Sequence, residues 1–356
     1  MESFPIDASV TQDDATSACG SASGSPGQAS GGQPSSQSAL TIDVAYHRTT
    51  SSDSALVLSS GVHGVEGFLG SAIQLAMLER WQKSQPTDVN IILIHAINPY
   101  GFAALRRFDE NNVDLNRNFL LSDQSFQGSP PGYRKLDRLL NPPYPPTTFE
   151  LFYLKAAMQV ARFGMASLRQ SIAAGQYDFP KGLFFGGHTA SESQQILARQ
   201  MPRLLSGIRD TVHLDFHTGL GKRATDKLLI DYQPTNHQRQ RLVDWYGKHA
   251  FQTDDKTDVA YQCNGSFGNW CVSQNLTPQY LYACAEFGTY PPLKVLAGLR
   301  AENQAHHFPS PDKAITKRAK RNLLELFCPA SASWRGKVVK RSVQMIERAI
   351  QGLGSV

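Results

Sequence analysis

ALVLSSGVHGVEG, residues 55–67, is the stretch whose reading decides the fold. Ala55 to Ser60 is a continuous β-favouring run, the pattern of a strand covered on both faces. It ends in a glycine-rich turn that carries His63 and Glu66, and Phe68 to Trp81 then spaces Leu69, Ile73, Ala76 and Met77 at helical intervals. Val89 to Ile97, VNIILIHAI, is a second buried-strand run. Strand, helix, strand predicts a crossover unit and a parallel sheet. Further out, Thr41 to Tyr46 alternates apolar and polar residues as a half-buried strand does, and Thr211 to His217 and Tyr280 to Phe287 read as central strands. Phe149 to Ala174 and Ser191 to Arg209 read as helices, and the proline-rich Asn141 to Pro146 as a loop. The expected fold class is α/β, a mixed and mostly parallel sheet flanked by helices on both faces.

Composition narrows the function. The chain has 356 residues, with 35 Lys and Arg against 30 Asp and Glu, and a net charge of +5 over that length is too weak to predict a nucleic-acid partner. A chain this long buries a core without disulfide or metal staples. No apolar run approaches the ~18 residues that span a bilayer, so no membrane partner is expected. The amino terminus carries Glu2 and Asp7 and no basic residue before Arg48, unlike a secretory signal. Cys19, Cys263, Cys271, Cys284 and Cys328 form no CxxC pair and read as reduced thiols, which points to the cytoplasm.

Residues 15–39 carry no charge and consist almost wholly of Ser, Gly, Ala, Gln and Pro, a composition that cannot offset its ordering entropy. The expected organisation is a flexible low-complexity segment over 1–40, one α/β domain over 41–330, and a basic amphipathic helix over 331–356. That helix spaces Val339, Val343, Ile346, Ile350 and Leu353 along one side, with Lys337, Arg341 and Arg348 elsewhere. It is expected to dock on its own domain rather than on a membrane surface.

Four constellations carry chemistry. His63 and Glu66, at the carboxyl end of a buried strand, can converge on a metal ion, and open α/β sheets place ligands at such ends. The bland alternative is a glycine-rich turn with a surface Glu. Asn98 to Phe102 (NPYGF), Arg106, Arg107 and Asp114 to Asn118 (DLNRN) gather arginines, asparagines and a carboxylate after a strand. Arginine forks bind carboxylates bidentately, although such a loop can also be merely solvated. In His213 to Gly219 (HLDFHTG), positions 213, 215 and 217 share a strand face, with His217 at the end. Glu286 ends the apolar strand in ACAEFG (283–288), where a carboxylate is costly to bury unless paired or functional.

Together, SSGVHGVEGFLGSAIQ (59–74), HAINPYGFAALRRFDENNVDLNRNF (95–119), LDFHTGLG (214–221) and EFGTYP (286–291) resemble the zinc metallocarboxypeptidase superfamily. That superfamily includes the aspartoacylase and succinylglutamate desuccinylase branch. The likeness is nearest to a bacterial carboxypeptidase-like group and covers residues 41 to 308. It implies a zinc carboxypeptidase-like fold with Zn2+ on His63, Glu66 and His217, leaving a fourth position for water. It further implies Glu286 as the general base, Arg107 as the group polarising the scissile carbonyl, and Asn116 and Arg117 as the grip on a substrate carboxylate. Asp114 is implied to orient the His63 ring. Tyr261, with Trp270 nine residues on, resembles the mobile-loop substrate-binding tyrosine of carboxypeptidases, against the alternative of a surface aromatic. His95 reads as core, and His306 and His307 as a solvated helix end.

The expected activity is hydrolysis of an amide bond beside a carboxylate, in a small peptide by a metallocarboxypeptidase. An N-acyl amino acid amidohydrolase is the alternative, and a non-catalytic ligand-binding protein of the same fold the third reading.

Overall fold

The computed structural model describes residues 1–6, 39–147, 150–253 and 264–354. Among these, one sheet is built from β1 (Glu2–Pro5), β2 (Thr41–His47), β3 (Ser54–Ser60), β4 (Asn90–His95), β5 (Asp210–Thr218), β6 (Asp226–Ile230), β7 (Phe251–Thr253) and β8 (Gln279–Phe287). Their order across the sheet is β1-β2-β4-β3-β5-β8-β6-β7. The four central strands β4, β3, β5 and β8 run parallel, while β2 and β6 flank them antiparallel. This is the mixed, mostly parallel sheet expected from the unbroken apolar runs, and every residue of β3 is buried.

The helices are α1 (Gly67–Trp81), α2 (Pro99–Ala103), α3 (Pro131–Leu140), α4 (Phe152–Phe163), α5 (Met165–Ala173), α6 (Glu192–Leu204), α7 (Asn236–Tyr246), α8 (Phe267–Ser273), α9 (Pro292–His307), α10 (Lys313–Phe327) and α11 (Ala332–Gly354). They cover both faces of the sheet. On one face α1 buries Leu69, Ile73 and Met77, four residues apart, and sits so close that a Cβ on Gly70 would lie 2.1 Å from the Cβ of Ser60. On the other, Phe267 of α8 sets its ring edge-on to His213 at 5.6 Å and to Tyr282 at 5.9 Å.

Register then places the chemistry. His213 lies opposite Tyr282, Asp215 opposite Cys284 and His217 opposite Glu286, while Ser59 on the other side faces Asp215. The carboxyl ends of all four parallel strands therefore open on one region, where α/β sheets bind their ligands.

Four expectations need correction. The expected helix over Phe149 to Ala174 is two, because Gly164 at φ +76° turns the chain out of the helical region. The segment 1–40 begins with structure: β1 pairs with β2, and Ile6 is buried, because Phe4 and Ile6 share one face while Ser3 and Pro5 are exposed, and Pro5 is tolerated on an edge strand. Residues 7–38 of that segment lie outside the described residues. The C-terminal helix packs on β3 and β5, and its buried stripe runs through Trp334, Val338, Met345, Ile346, Ala349 and Leu353. Val339, Val343 and Ile350 sit half-buried at its margin, since the helix meets the sheet one residue round from the most aliphatic line. His306 and His307 are half-buried at the end of α9 rather than solvated.

Candidate metal centre

The loops after β3 and β4 are joined backbone to backbone. A Cβ on Gly64 would lie 2.0 Å from the carbonyl carbon of Gly101, so only glycines allow this approach. Gly64 N–H donates to Arg107 O at 3.2 Å and Val65 N–H to Arg106 O at 2.8 Å. Asn98 caps α2 by accepting from Gly101 N–H at 2.8 Å, and its side-chain amide donates to Arg107 O at 3.2 Å. This stitching carries Arg107 to His63 across a large gap in sequence, and the short 3-10 turn Gly64–Glu66 brings Glu66 round beside the His63 ring.

His63, Glu66 and His217 converge. Their ligand atoms lie within 4.8 Å of one another, and all three residues are buried. His63 Nδ1 is 2.9 Å from Glu66 Oε1, and His217 Nδ1 is 3.2 Å from Glu66 Oε2. His63 Nδ1 is buried without a hydrogen-bond partner, an orphaned nitrogen aimed at the carboxylate. On both rings the remote nitrogen is held by an aspartate: His63 Nε2 lies 3.0 Å from Asp114 Oδ1, and His217 Nε2 lies 2.6 Å from Asp215 Oδ2. Each ring is thereby turned so that Nδ1 faces the centre. Two imidazoles and a carboxylate, each ring backed by a carboxylate, form the donor set of catalytic zinc, and the residues present fit that ion.

Charge is balanced locally. Burial works against ionisation of Glu66 and Asp114, but His63 and His217 hold Glu66 below the usual carboxylate range, and Arg107 and His63 do the same for Asp114. Burial depresses His217, and the Asp215 carboxylate overrides it and raises the ring well above its ordinary value. Arg107 lies against the whole group, with Nε 3.0 Å from Asp114 Oδ2, Nη1 3.0 Å from Glu66 Oε1 and Nη2 2.7 Å from His63 Nε2.

Asp215 is the site residue that sequence reasoning passed over. Besides His217, it accepts from Ser59 Oγ at 2.6 Å and from Tyr282 OH at 2.9 Å. Ser59 Oγ meets His213 Nε2 at 2.7 Å, and His213 Nδ1 meets Tyr280 OH at 2.8 Å. Burial brings His213 down to about 4, so this ring stays neutral. Asp215 is opposed by burial but held at about 2 by His217 and its hydrogen bonds. The available signal was the shared strand face of residues 213, 215 and 217.

Glu286 lies beside His217 through the strand register, and its Oε1 accepts from Leu220 N–H at 2.8 Å. Burial and the Glu66 charge push its carboxyl up to about 8. Asn116 Oδ1 accepts from Phe267 N–H at 2.9 Å, and buried Arg117 donates from Nη1 to Asn116 O at 2.5 Å. The two adjacent arginines part company. Arg106 points away from the centre, pairing with Glu302 at 2.8 Å and donating to Asn112 at 2.9 Å. Tyr261 lies outside the described residues. His188 is exposed, with its ring against Phe185.

Residues 14–341 match the family described as "Protein of unknown function (DUF2817)". The chain belongs to this family. No curated protein matches this DUF2817 sequence. Among solved structures it is similar to the murein-tripeptide amidase of Escherichia coli O157, at 16% identity over 74% of this chain and 87% of that one, with a TM-score of 0.37. It is also similar to carboxypeptidase A from Helicoverpa armigera, at 14% identity over 85% and 65% of the two chains, with a TM-score of 0.42. A third is succinylglutamate desuccinylase from Chromobacterium violaceum, at 15% identity over 78% and 62%, with a TM-score of 0.37.

Proposed function

We propose that this chain is a zinc-dependent hydrolase cleaving an amide bond next to a carboxylate, acting as a carboxypeptidase-type peptidase. The observation that supports it is the convergence of His63, Glu66 and His217 within 4.8 Å, with Glu286 on the neighbouring strand. Zinc on those three donors would supply a Lewis acid and lower the pKa of water toward about 7. Asp114 and Asp215 hold the two rings in the tautomer that presents Nδ1. Glu286 accepts a proton at its carboxylate and returns it to the leaving amine. Arg107, already at the rim of the donor set, offers its guanidinium to the oxygen that becomes anionic in the transition state. Asn116 and Arg117 fix the substrate's carboxylate, and Tyr261 is the further substrate-binding residue.

An N-acyl amino acid presents the same amide and carboxylate, so an amidohydrolase would use the same groups. A ligand-binding protein would not need a buried Glu286 beside the donors. The test is a zinc-loaded assay on C-terminal peptides, N-acyl amino acids and the C-terminal amides of both. Hydrolysis of free acids with weak turnover of the amides is expected. Equal turnover of the amides would overturn the carboxylate grip, and no turnover of any substrate would leave the binding reading.

A further inference from the structure

The hairpin formed by α4 and α5 has its surface inside out. Among the described residues twelve large hydrophobic side chains are exposed, and six of them fall within Leu151 to Met165. Single exposed apolar residues are ordinary on a protein surface, whereas a concentration of them marks an interaction site. The inner side of α4 is already satisfied, because Phe152 and Ala156 are buried and Val160 packs on the core beneath. A second stripe, Leu154, Ala157, Met158 and Ala161, lies at helical spacing and is exposed throughout. Two residues of offset turn it about 200° from the inner stripe, onto the opposite side of the helix.

The hairpin itself carries charge of one sign, the nearest acid in sequence, Glu150, being paired with Arg300. From Phe152 to Tyr177 the sequence contains Lys155, Arg162 and Arg169 and no acidic residue. Lys155 and Arg162 are exposed along one flank of the outer stripe. The hairpin is also fastened to the body: the Arg300 guanidinium lies 5.0 Å from the Phe152 ring and pairs with Glu150. At its far end, a Cβ on Gly175 would lie 2.7 Å from Arg117 Cδ, so the hairpin adjoins the wall of the candidate site.

We propose that this face docks the protein peripherally on an anionic lipid surface. Leu154 and Met158 would enter the boundary between headgroups and chains, Tyr153 would sit at headgroup level, and Lys155 and Arg162 would meet the lipid phosphates. A second copy is a poorer occupant. Two-fold antiparallel pairing of α4 sets Lys155 and Arg162 against the same residues of the copy, with no acid in the hairpin to offset them. No helix among the described residues is long and apolar enough to cross a membrane, so the contact is with a surface. The proposal departs from the expectation of no membrane partner, which rested on the length of apolar runs and not on which of them are left outside.

The full chain is sedimented with vesicles of phosphatidylcholine alone and of phosphatidylcholine with phosphatidylglycerol. Binding is expected only to the anionic vesicles, weakening with salt. Lys155→Gln and Arg162→Gln should each lower it about fivefold. Leu154→Glu with Met158→Glu should lower it more than about tenfold, with an unchanged melting temperature and unchanged hydrolysis of a small substrate. Absence of binding, equal binding to neutral vesicles, or a dimer in ultracentrifugation that Leu154→Glu with Met158→Glu dissolves would each overturn the proposal.

Discussion

Replacing Asp215 by Asn tests whether the metal centre is built from behind as well as in front. The native carboxylate takes three hydrogen bonds, from His217 at 2.6 Å, Ser59 at 2.6 Å and Tyr282 at 2.9 Å. An asparagine of the same shape keeps its oxygen toward His217 and Tyr282 and turns its amide to Ser59, whose hydroxyl can accept. Packing is preserved and the negative charge is lost. A hydrogen bond to a charged group is worth roughly 1.5–3 kcal/mol, and part of that is recovered by the neutral oxygen. Loss of a carboxylate behind a ligating histidine costs about 10- to 100-fold in metal affinity, and that is the range expected here. The assay is zinc affinity by competition with a chromophoric chelator, alongside the melting temperature of metal-free protein. Affinity within threefold of wild type in a folded variant would show that His217 is oriented without Asp215.

Glu286→Gln should retain zinc and lose about 10²- to 10⁴-fold in kcat, and a near-normal rate would place the base elsewhere. Arg117→Ala should raise KM about 10- to 150-fold with a smaller fall in kcat, since the substrate carboxylate keeps its charge throughout; steady-state kinetics on one free-acid substrate decides. Glu302→Ala strands the fully buried Arg106 and should cost about 3–5 kcal/mol in chemical denaturation, far more than any surface pair. A loss below about 1 kcal/mol would mean that Arg106 finds another partner. Deletion of residues 15–39 should leave turnover intact, whereas a large fall in kcat in a folded protein would give that segment a part in catalysis.

What the sequence made legible was local or repeated. Strands β3, β4 and β8 announce themselves as apolar runs because they are covered on both faces, whereas β5 alternates, with His213, Asp215 and His217 on one face. His63, Glu66, His217 and Glu286 stand at the carboxyl ends of strands, which a parallel topology brings to one edge of the sheet; that they form one set was implied by the resemblance to zinc carboxypeptidases. The contribution of Asp215 was not. Its partners Ser59 and Tyr282 come from two other strands, and only the register sets them opposite it. Residue type and position do not separate Arg106 from Arg107, and only the resemblance singled out Arg107; Glu302, on a helix far along the chain, pairs with Arg106, while Arg107 lies against Glu66 and Asp114. The start of the chain was misread because four residues of edge strand are too short to show a period beside a low-complexity neighbour. In α4, helical periodicity was clear, but two apolar stripes look alike until burial shows which one faces water.

The most direct test of the account is the zinc content of purified protein, measured for wild type and for His217→Ala. About one zinc per wild-type chain and strong loss in the variant are expected, because the set reduces from three donors to His63 and Glu66. Wild-type occupancy in His217→Ala, or full hydrolysis by wild type stripped of metal, would contradict it.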